Sequence, residues 1–334
     1  MAAPGTTQAS RGRDDLAARF VVRAAVTAPS VHNTQPWYFA SRQGVITLCA
    51  DTRRRLVTAD PAGREAAISC GAALFNMRLA ARHLGFAADV RLMPEFPRPD
   101  PLAELHWGRY ARPTAYGELL YRSITRRHTH RGPFTARAPR SLIGDLPAIA
   151  RQEHTGLHIV DTAQHHLLAE LITAAELTQR TSPGFATELA RWALPPGTRR
   201  LDGVPPAAYL AQPDGLEFVA RDFSLGTGWG FPPRARPDNP HALGVVALLT
   251  TRDDQPLSWL LAGQALQRLL LHATAHSVTV AFHTQPLELP GPRELIRKEV
   301  TGGAYPQMLL RLGRTDRTLT TPRRPVSDTL IGER

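Results

Sequence analysis

Lysine is almost absent: Lys298 is the single lysine among 40 Lys and Arg residues in a chain of 334. A nucleic-acid binder usually clusters lysine with arginine on one face. Here the arginines run from Arg11 to Arg334, so the formal charge of +11 reads as compositional bias and argues against a nucleic-acid partner. Cysteine is scarce too. Cys49 and Cys70 are too few and too far apart for a CxxC couple or a zinc site and read as buried thiols in a reducing compartment. The opening MAAPGTTQASRGRDD has no apolar h-region, which argues against a secretory signal. The most apolar helical stretch, LSWLLAGQALQRLLLHATA, is interrupted by Gln264, Gln267 and Arg268, which argues against a membrane span. His272 and His276 have helical metal-ligand spacing but no HExxH acid, and His165-His166 has no supporting carboxylate, so no metal is expected. No GxSxG elbow surrounds Ser182 or Ser224, so neither reads as a nucleophile. A cytoplasmic protein remains.

What is present is an ordinary globular mixture, 43% apolar and 7% aromatic, able to bury a sizeable core. After a tail expected to be disordered, residues 1–13, Asp14 or Asp15 can cap a helix with Leu16, Phe20 and Ala24 on one face. Pro29 ends it, and the polar loop SVHNTQP leads into WYFASRQGVITLCA, a hairpin broken at Gly44. A long helix is expected from Arg64 to Leu84, stopped by Gly85, then a strand at 87–92 and another in LAELHWG.

The second half echoes this pattern. GAALFNMRLAARHLGFAADVRLMP starts at Gly71 and GQALQRLLLHATAHSVTVAFHTQP at Gly263. Both are a long apolar helix, a short break, a strand and a proline. Each leads to a strand ending in Gly-Arg, at Arg109 and at Arg314. Two copies of one α/β unit fused in tandem would give this match, the alternative being two similar helix–strand units arising by chance.

The differences between the halves carry the chemistry. In RRHTHRGPF, side chains two apart share a face when the backbone is extended, so Arg127, Thr129 and Arg131 can converge. Two guanidinium forks and a hydroxyl suit a phosphate dianion, the alternative being a solvated basic face. In APSVHNTQPW, prolines fix both ends of a polar loop. Ser30, Asn33 and Gln35 could then meet the edge of a planar heterocycle, or could simply bond their own backbone. The Pro/Gly-rich stretch 192–241 lacks periodicity, yet Tyr209, Phe218, Phe223, Trp229 and Phe231 suggest a partly ordered cover and not a disordered insert.

APSVHNTQPW resembles the signature loop of the FMN-dependent nitroreductase superfamily, and RRHTHRGPF resembles its phosphate-gripping segment. The GREAAISCGAALFNMRLAARHLG helix, the TQPLE turn and a terminal LGR…TPRRP extend the likeness over roughly residues 14–328. With one motif in each half, the chain is similar to the Acg-like branch, in which two nitroreductase-like halves are fused. The resemblance implies an α+β nitroreductase-like fold, with mostly antiparallel sheets flanked by helices and two tandem copies forming an intramolecular pseudo-dimer. The halves would be residues 14–115 and 116–330, the second including the lid-like insert 192–241.

The same resemblance implies that FMN is held by Arg127, Thr129 and Arg131, with Arg323 or Arg324 as a further cation. Ser30, Asn33 and Gln35 would meet the flavin and its ribityl chain. His283, Thr284 and Gln285 would supply the turn whose backbone N–H groups approach flavin N5, although the family's Gly-rich acidic turn is missing there. Tyr209, Trp229 and Phe231 would cover the substrate side. No catalytic side chain beyond the flavin is implied. The expected function is an NAD(P)H-dependent FMN oxidoreductase acting on an electron-poor small molecule such as a nitroaromatic, quinone or imine. The alternative is a flavin-sequestering protein whose lid blocks turnover. The chain would be a monomer with internal pairing, with room for further dimerisation.

Overall fold

A computed structural model describes residues 4–94, 101–212, 217–232 and 243–331. Helix α1 spans Pro4–Ala25, longer than the helix expected from Asp14 or Asp15. Proline is tolerated in a first helical turn, where its missing N–H would have no partner. Alanine, glutamine and arginine then favour the helix, so helical backbone replaces most of the tail assigned to residues 1–13. Residues 1–3 lie outside the described residues.

Strands β1 (Trp37–Arg42) and β2 (Val45–Ala50) pair antiparallel through a two-residue turn. Gln43 and Gly44 both have positive φ, +49° and +77°, as a tight hairpin of matching twist requires. Helix α2 (Arg64–His83) ends just before Gly85, whose φ of +89° suits the left-handed stop. Strands β3 (Phe86–Leu92) and β4 (Pro101–Tyr110) complete the first unit. Helix α3 (Ala115–Ser123), the short strands β5 (Thr129–His130) and β6 (Ala136–Arg137), and helix α4 (Arg140–Arg151) lead to β7 (Gly156–Ile159). Next come α5 (Thr162–Thr181), α6 (Pro183–Ala190), the cover and β8 (Val245–Thr251). Helix α7 (Pro256–Ala275), β9 (Thr279–Phe282), α8 (Pro290–Glu299), β10 (Tyr305–Arg314) and β11 (Leu330–Ile331) finish the chain.

The two sheets share one topology. In the first the spatial order is β1-β2-β4-β3, and in the second it is β7-β8-β10-β9, each with its long helix between the second and third strands. These pairings are antiparallel. Each sheet gains one parallel edge strand: β11 beside β1 and β5 beside β9. The tandem repeat is therefore visible as architecture, and the last strand of the second half completes the sheet of the first. Where the first unit has its two-residue hairpin, the second inserts α5, α6 and the cover between β7 and β8.

Helices α2 and α7 cross at the centre with glycine on glycine. A Cβ on Gly71 would sit 2.1 Å from the Leu260 carbonyl oxygen, and one on Gly263 would sit 2.0 Å from that of Ile68. Both helices bury most of their residues, as central helices do. This crossing fixes the two halves against each other. The cavity described next opens beside it.

Candidate functional site

The loop after α1 is held in an unusual backbone. His32, Asn33 and Gln35 have φ of +47°, +55° and +52°, a region that residues other than glycine occupy uncommonly and that three residues so close together need support to hold. The enforcing bonds come from distant chain. Asn33 Nδ2 donates to the carbonyls of Gly203 (2.9 Å) and Pro322 (3.0 Å), and its Oδ1 accepts from Arg323 Nη1 at 2.8 Å. Gln35 Nε2 donates to the Leu201 carbonyl at 2.8 Å, while its Oε1 accepts the Arg324 N–H at 2.8 Å. Ser30 Oγ accepts the Gln35 N–H at 2.9 Å, closing the turn from inside. The loop thus ties the cover, near 201–203, to the C-terminal strap, near 322–324.

A cavity with about 920 Å³ of empty space, its mouth included, opens beside this loop. Pro29, Ser30 and His32 form one wall, and Thr129, His130 and Arg131 another. The two segments singled out in the sequence, one from each half, therefore face the same space. The post-strand turn His283-Thr284-Gln285 and the α2 residues Glu65, Ile68 and Ser69 lie on the inner side. Tyr209, Leu210 and Phe223 close the outer side.

Near the Pro29 end of this cavity three guanidinium groups gather without a carboxylate. Parallel pairing of β5 with β9 brings the arginine segment there. Arg127 is buried; its Nη2 donates to the Thr27 carbonyl at 3.1 Å, and its Nη1 reaches Thr129 Oγ1 at 3.4 Å. Arg323 Nη2 reaches the same Thr27 carbonyl at 3.4 Å. Arg131 Nη1 donates to the Ala208 carbonyl at 3.2 Å, and its guanidinium lies 5.8 Å from the Phe223 ring centre. Among the described residues no carboxylate pairs with any of the three. The buried Nε atoms of Arg127 and Arg323 have no hydrogen-bond partner.

The electrostatic signature is plain. Burial, then repulsion by Arg323 and Arg131, brings Arg127 down to about 9. Burial and Arg323 bring Arg131 down to about 10, and burial alone brings Arg323 to about 10. Uncompensated positive charge beside orphaned donors is the arrangement that a bound dianion satisfies.

Several expected site residues are used differently. Asn33 and Gln35 do not line the cavity; their polar atoms are spent on the cover and strap. Arg324 lies with Gln35, and its Nη2 donates to the Asp328 carbonyl, apart from the arginine cluster. The His283 N–H is already bonded to the Leu309 carbonyl at 3.0 Å, so it is not free for a ligand. Its ring sits between Arg311 Nε, 2.8 Å from Nε2, and the Val219 carbonyl, 3.2 Å from Nδ1. That pattern makes Nδ1 the protonated nitrogen and keeps the ring neutral, and burial, then Arg311, holds its pKa well below the usual range. Gln285 Nε2 donates to Glu176 Oε2 at 3.2 Å, and the Thr284 hydroxyl donates to Glu288 Oε1 at 2.9 Å. Both line the wall with their side chains turned to neighbours.

Of the cover aromatics, Tyr209 lines the cavity. Phe231 is buried in the cover's own cluster under Arg317, and Trp229 is 39% exposed. Phe223, not Trp229, faces the ligand space, because the apolar cluster turns Phe223 inward and leaves the glycine-flanked Trp229 outside. His32 and Glu65 are cavity residues that the sequence motifs left unassigned. His32 packs edge-on to Phe223 at 5.5 Å and is kept neutral by burial, then by Arg221 and Arg131. A signal for Glu65 existed: it is the sole acid of α2, placed in its first turn.

No protein-family profile matches the chain. A protein of Mycobacterium tuberculosis H37Rv, named as a candidate NAD(P)H nitroreductase, is 32% identical over 319 residues, 92% of this chain and 89% of its own length. The M. tuberculosis Acg protein, with the same kind of name, is 30% identical over 321 residues, 92% of this chain and 93% of that one. Solved structures give weaker likenesses. The FMN-dependent nitroreductase NfnB of Mycobacterium smegmatis with NADPH has a TM-score of 0.42 at 16% identity, over 66% of this chain and all of that one. A protein from Anabaena variabilis named as a candidate nitroreductase has a TM-score of 0.43 at 11% identity, over 81% of this chain and 69% of that one. The whole-length identity to the mycobacterial relatives defines the class: the chain belongs to the nitroreductase family, in its Acg-like branch.

Among the described residues no helix is long and apolar enough to cross a membrane. None of their His, Cys, Asp and Glu side chains form a cluster of three or more able to hold a metal ion.

Proposed function

We propose that the chain is an FMN-dependent oxidoreductase that passes hydride from NAD(P)H through the flavin to an electron-poor small molecule such as a nitroaromatic, quinone or imine. One observation carries this reading: the carboxylate-free cluster of Arg127, Arg131 and Arg323, with two orphaned Nε donors, beside an apolar cavity. The FMN phosphate fits there as a dianion. Arg127, Thr129, Arg131 and Arg323 would hold it. Ile68, Leu266, Met308 and Phe223 offer the apolar surface that a flavin ring needs.

Bound FMN would supply the two-electron chemistry. The protein's share is to bind, orient and exclude water. Ser30 and Asn33 fix the loop beside the ring site. Arg131 couples phosphate binding to the cover through its bond to Ala208. Neutral His32 and His283 add no charge to the cavity, and Arg221, which also lines it, is paired with Glu288, so the unpaired positive charge beside it is that of the arginine cluster.

The domain reading carries over in the same terms: residues 14–115 and 116–330 act as the halves of a pseudo-dimer, with 192–241 as the lid. Residues 213–216 and 233–241 of that lid lie outside the described residues.

A second reading, flavin sequestration, is supported by the fastening of the cover. Asn33 and Gln35 hold it at 201–203, and Tyr209, Leu210 and Phe223 close the cavity's outer side. One experiment tests both. The purified protein is loaded with FMN and mixed anaerobically with NADPH. Rapid bleaching of the flavin followed by reoxidation with a quinone or nitroaromatic supports the oxidoreductase. Binding without reduction supports sequestration, and failure to bind FMN removes both.

A further inference from the structure

Glu65 stands out among the cavity residues. It is 4% exposed and lines the cavity from the first turn of α2. Its Oε1 accepts from Arg64 Nη2 at 3.1 Å, and its buried Oε2 has no partner. An ionised carboxylate with an orphaned oxygen is among the costliest groups a protein can bury.

The surrounding charges say which carboxyl keeps its proton. Glu65 and Asp60 share the influence of Arg64, while Glu288 faces Glu65 from the turn before α8 and Arg221 approaches from the cover. His32 and His283, on the facing walls, are neutral. Glu288 is richly solvated by the protein: Arg221 Nη2 at 2.5 Å, Gln179 Nε2 at 2.8 Å and the Thr284 hydroxyl at 2.9 Å. Asp60 Oδ2 accepts the Ala66 N–H at 2.9 Å. Glu65 has one side-chain donor, and that donor, Arg64, also serves the carbonyls of Gln307 (2.7 Å) and Leu287 (3.3 Å). With acids outnumbering guanidiniums, the least solvated acid takes the proton.

Burial first, then Glu288, pushes the Glu65 carboxyl up to about 8, against the pull of Arg64 and of the α2 N-terminus. The internal repeat adds an independent point. With Gly71 aligned on Gly263, the residue of α7 matching Glu65 is Leu257, so the helix itself does not call for an acid there.

We propose that Glu65 is a neutral acid facing the bound flavin, that its Oε2–H donates into the cavity, and that its ionisation and the redox state of the flavin bias each other. The inference rests on the FMN reading above. A carboxylate at this point repels negative charge on the reduced ring, so reduction raises the proton affinity of Glu65, and ionising Glu65 makes reduction harder. No bond to the flavin is formed or broken by Glu65; the proton it gains on reduction comes from water.

The test uses FMN-loaded wild type and Glu65→Gln, which keeps a hydrogen-bond donor but cannot titrate. Proton uptake on dithionite reduction is followed with a pH indicator, and the flavin potential is measured from pH 6 to 9. The wild type should take up extra protons on the alkaline side and show a steeper fall of potential with pH. E65Q should lose both while keeping FMN affinity at neutral pH. Identical uptake and slope in the two proteins would overturn the proposal. If E65Q does not fold, the infrared difference spectrum of the wild type decides: a protonated-carboxyl C=O band that shifts on reduction supports the proposal, and its absence overturns it. If the wild type binds no FMN, it is the cofactor reading that has failed, and this inference with it.

Discussion

Arg127 and Arg323 donate to the same acceptor, the Thr27 carbonyl, at 3.1 and 3.4 Å, although one follows α3 and the other lies in the C-terminal strap. Two like charges sharing one neutral oxygen gain little from each other. The arrangement stores repulsion that a dianion relieves, and it therefore makes opposite predictions for the empty and the loaded protein.

Arg127→Met should weaken FMN binding about ten- to a hundredfold, the worth of about 1.5–3 kcal/mol for a charge-assisted hydrogen bond. The same change should leave the FMN-free protein as stable as the wild type or more so, by about 1 kcal/mol, because an uncompensated buried charge is gone. Arg140→Ala, on exposed helix, should alter neither. Flavin fluorescence titration and thermal unfolding with and without FMN give the two numbers. A loss of stability without a loss of affinity would contradict the phosphate-grip assignment.

Gly71→Ala and Gly263→Ala each put a methyl group about 2 Å from a carbonyl oxygen of the opposing helix. Each should cost about 3 kcal/mol in chemical denaturation, at the upper end of overpacking penalties. Because both act on one crossing, the double variant should cost less than the sum of the two.

Asn33→Ala removes the side-chain bonds to Gly203, Pro322 and Arg323 together. Arg323 Nη1 keeps Thr321 and the Pro322 carbonyl as partners, so the main loss is the unpaired Gly203 carbonyl, at a cost of about 2 kcal/mol. The effect should be local: faster hydrogen exchange at 201–203 and faster tryptic cleavage after Arg199 and Arg200. If Asn33 instead served mainly the flavin, affinity would fall while the cover kept its protection.

Stability should peak near neutral pH, because two sets of groups pull in opposite directions. As pH falls through 6.5, unfolded histidines take up protons that folded His32, His130 and His283 refuse; His130 is held at about 4, chiefly by burial. Each imidazole then removes up to about 1.4 kcal/mol per pH unit. Glu65 has its folded pKa raised, so its contribution is complete below the ordinary carboxyl value of 4.5 and is lost as pH rises through about 8. Urea unfolding from pH 5 to 9 should show both limbs, and E65Q should flatten the alkaline one and steepen the acid one, because the loss from Glu65 spans 4.5 to about 8 and opposes the histidines below 6.5.

Much of this protein was legible in its residues. The helix from Arg64 ends beside Gly85 as its apolar run and stop signal require, the hairpin turns at Gly44, and the echo between Gly71 and Gly263 falls on helices that hold equivalent places beside two sheets of the same strand order. These are local facts, written in periodicity and in glycine's backbone freedom. The family resemblance in APSVHNTQPW and RRHTHRGPF likewise needed only short strings.

Where the side chains of those strings point was decided elsewhere. Asn33 and Gln35 turn away from the cavity because their partners, Gly203, Pro322, Leu201 and Arg324, arrive from distant chain, and positive φ at both residues makes that orientation affordable. Phe223 lines the cavity and Trp229 is left 39% exposed, an outcome of how the cover folds back on itself. The raised pKa of Glu65 is the sum of burial and of charges from three segments: residues 60–64, Arg221 of the cover, and Glu288. Local strings were enough for the long helices, the hairpin and the family; hydrogen-bond partners, burial and net local charge are sums over groups remote in the chain, so they were set by how the chain folds back on itself.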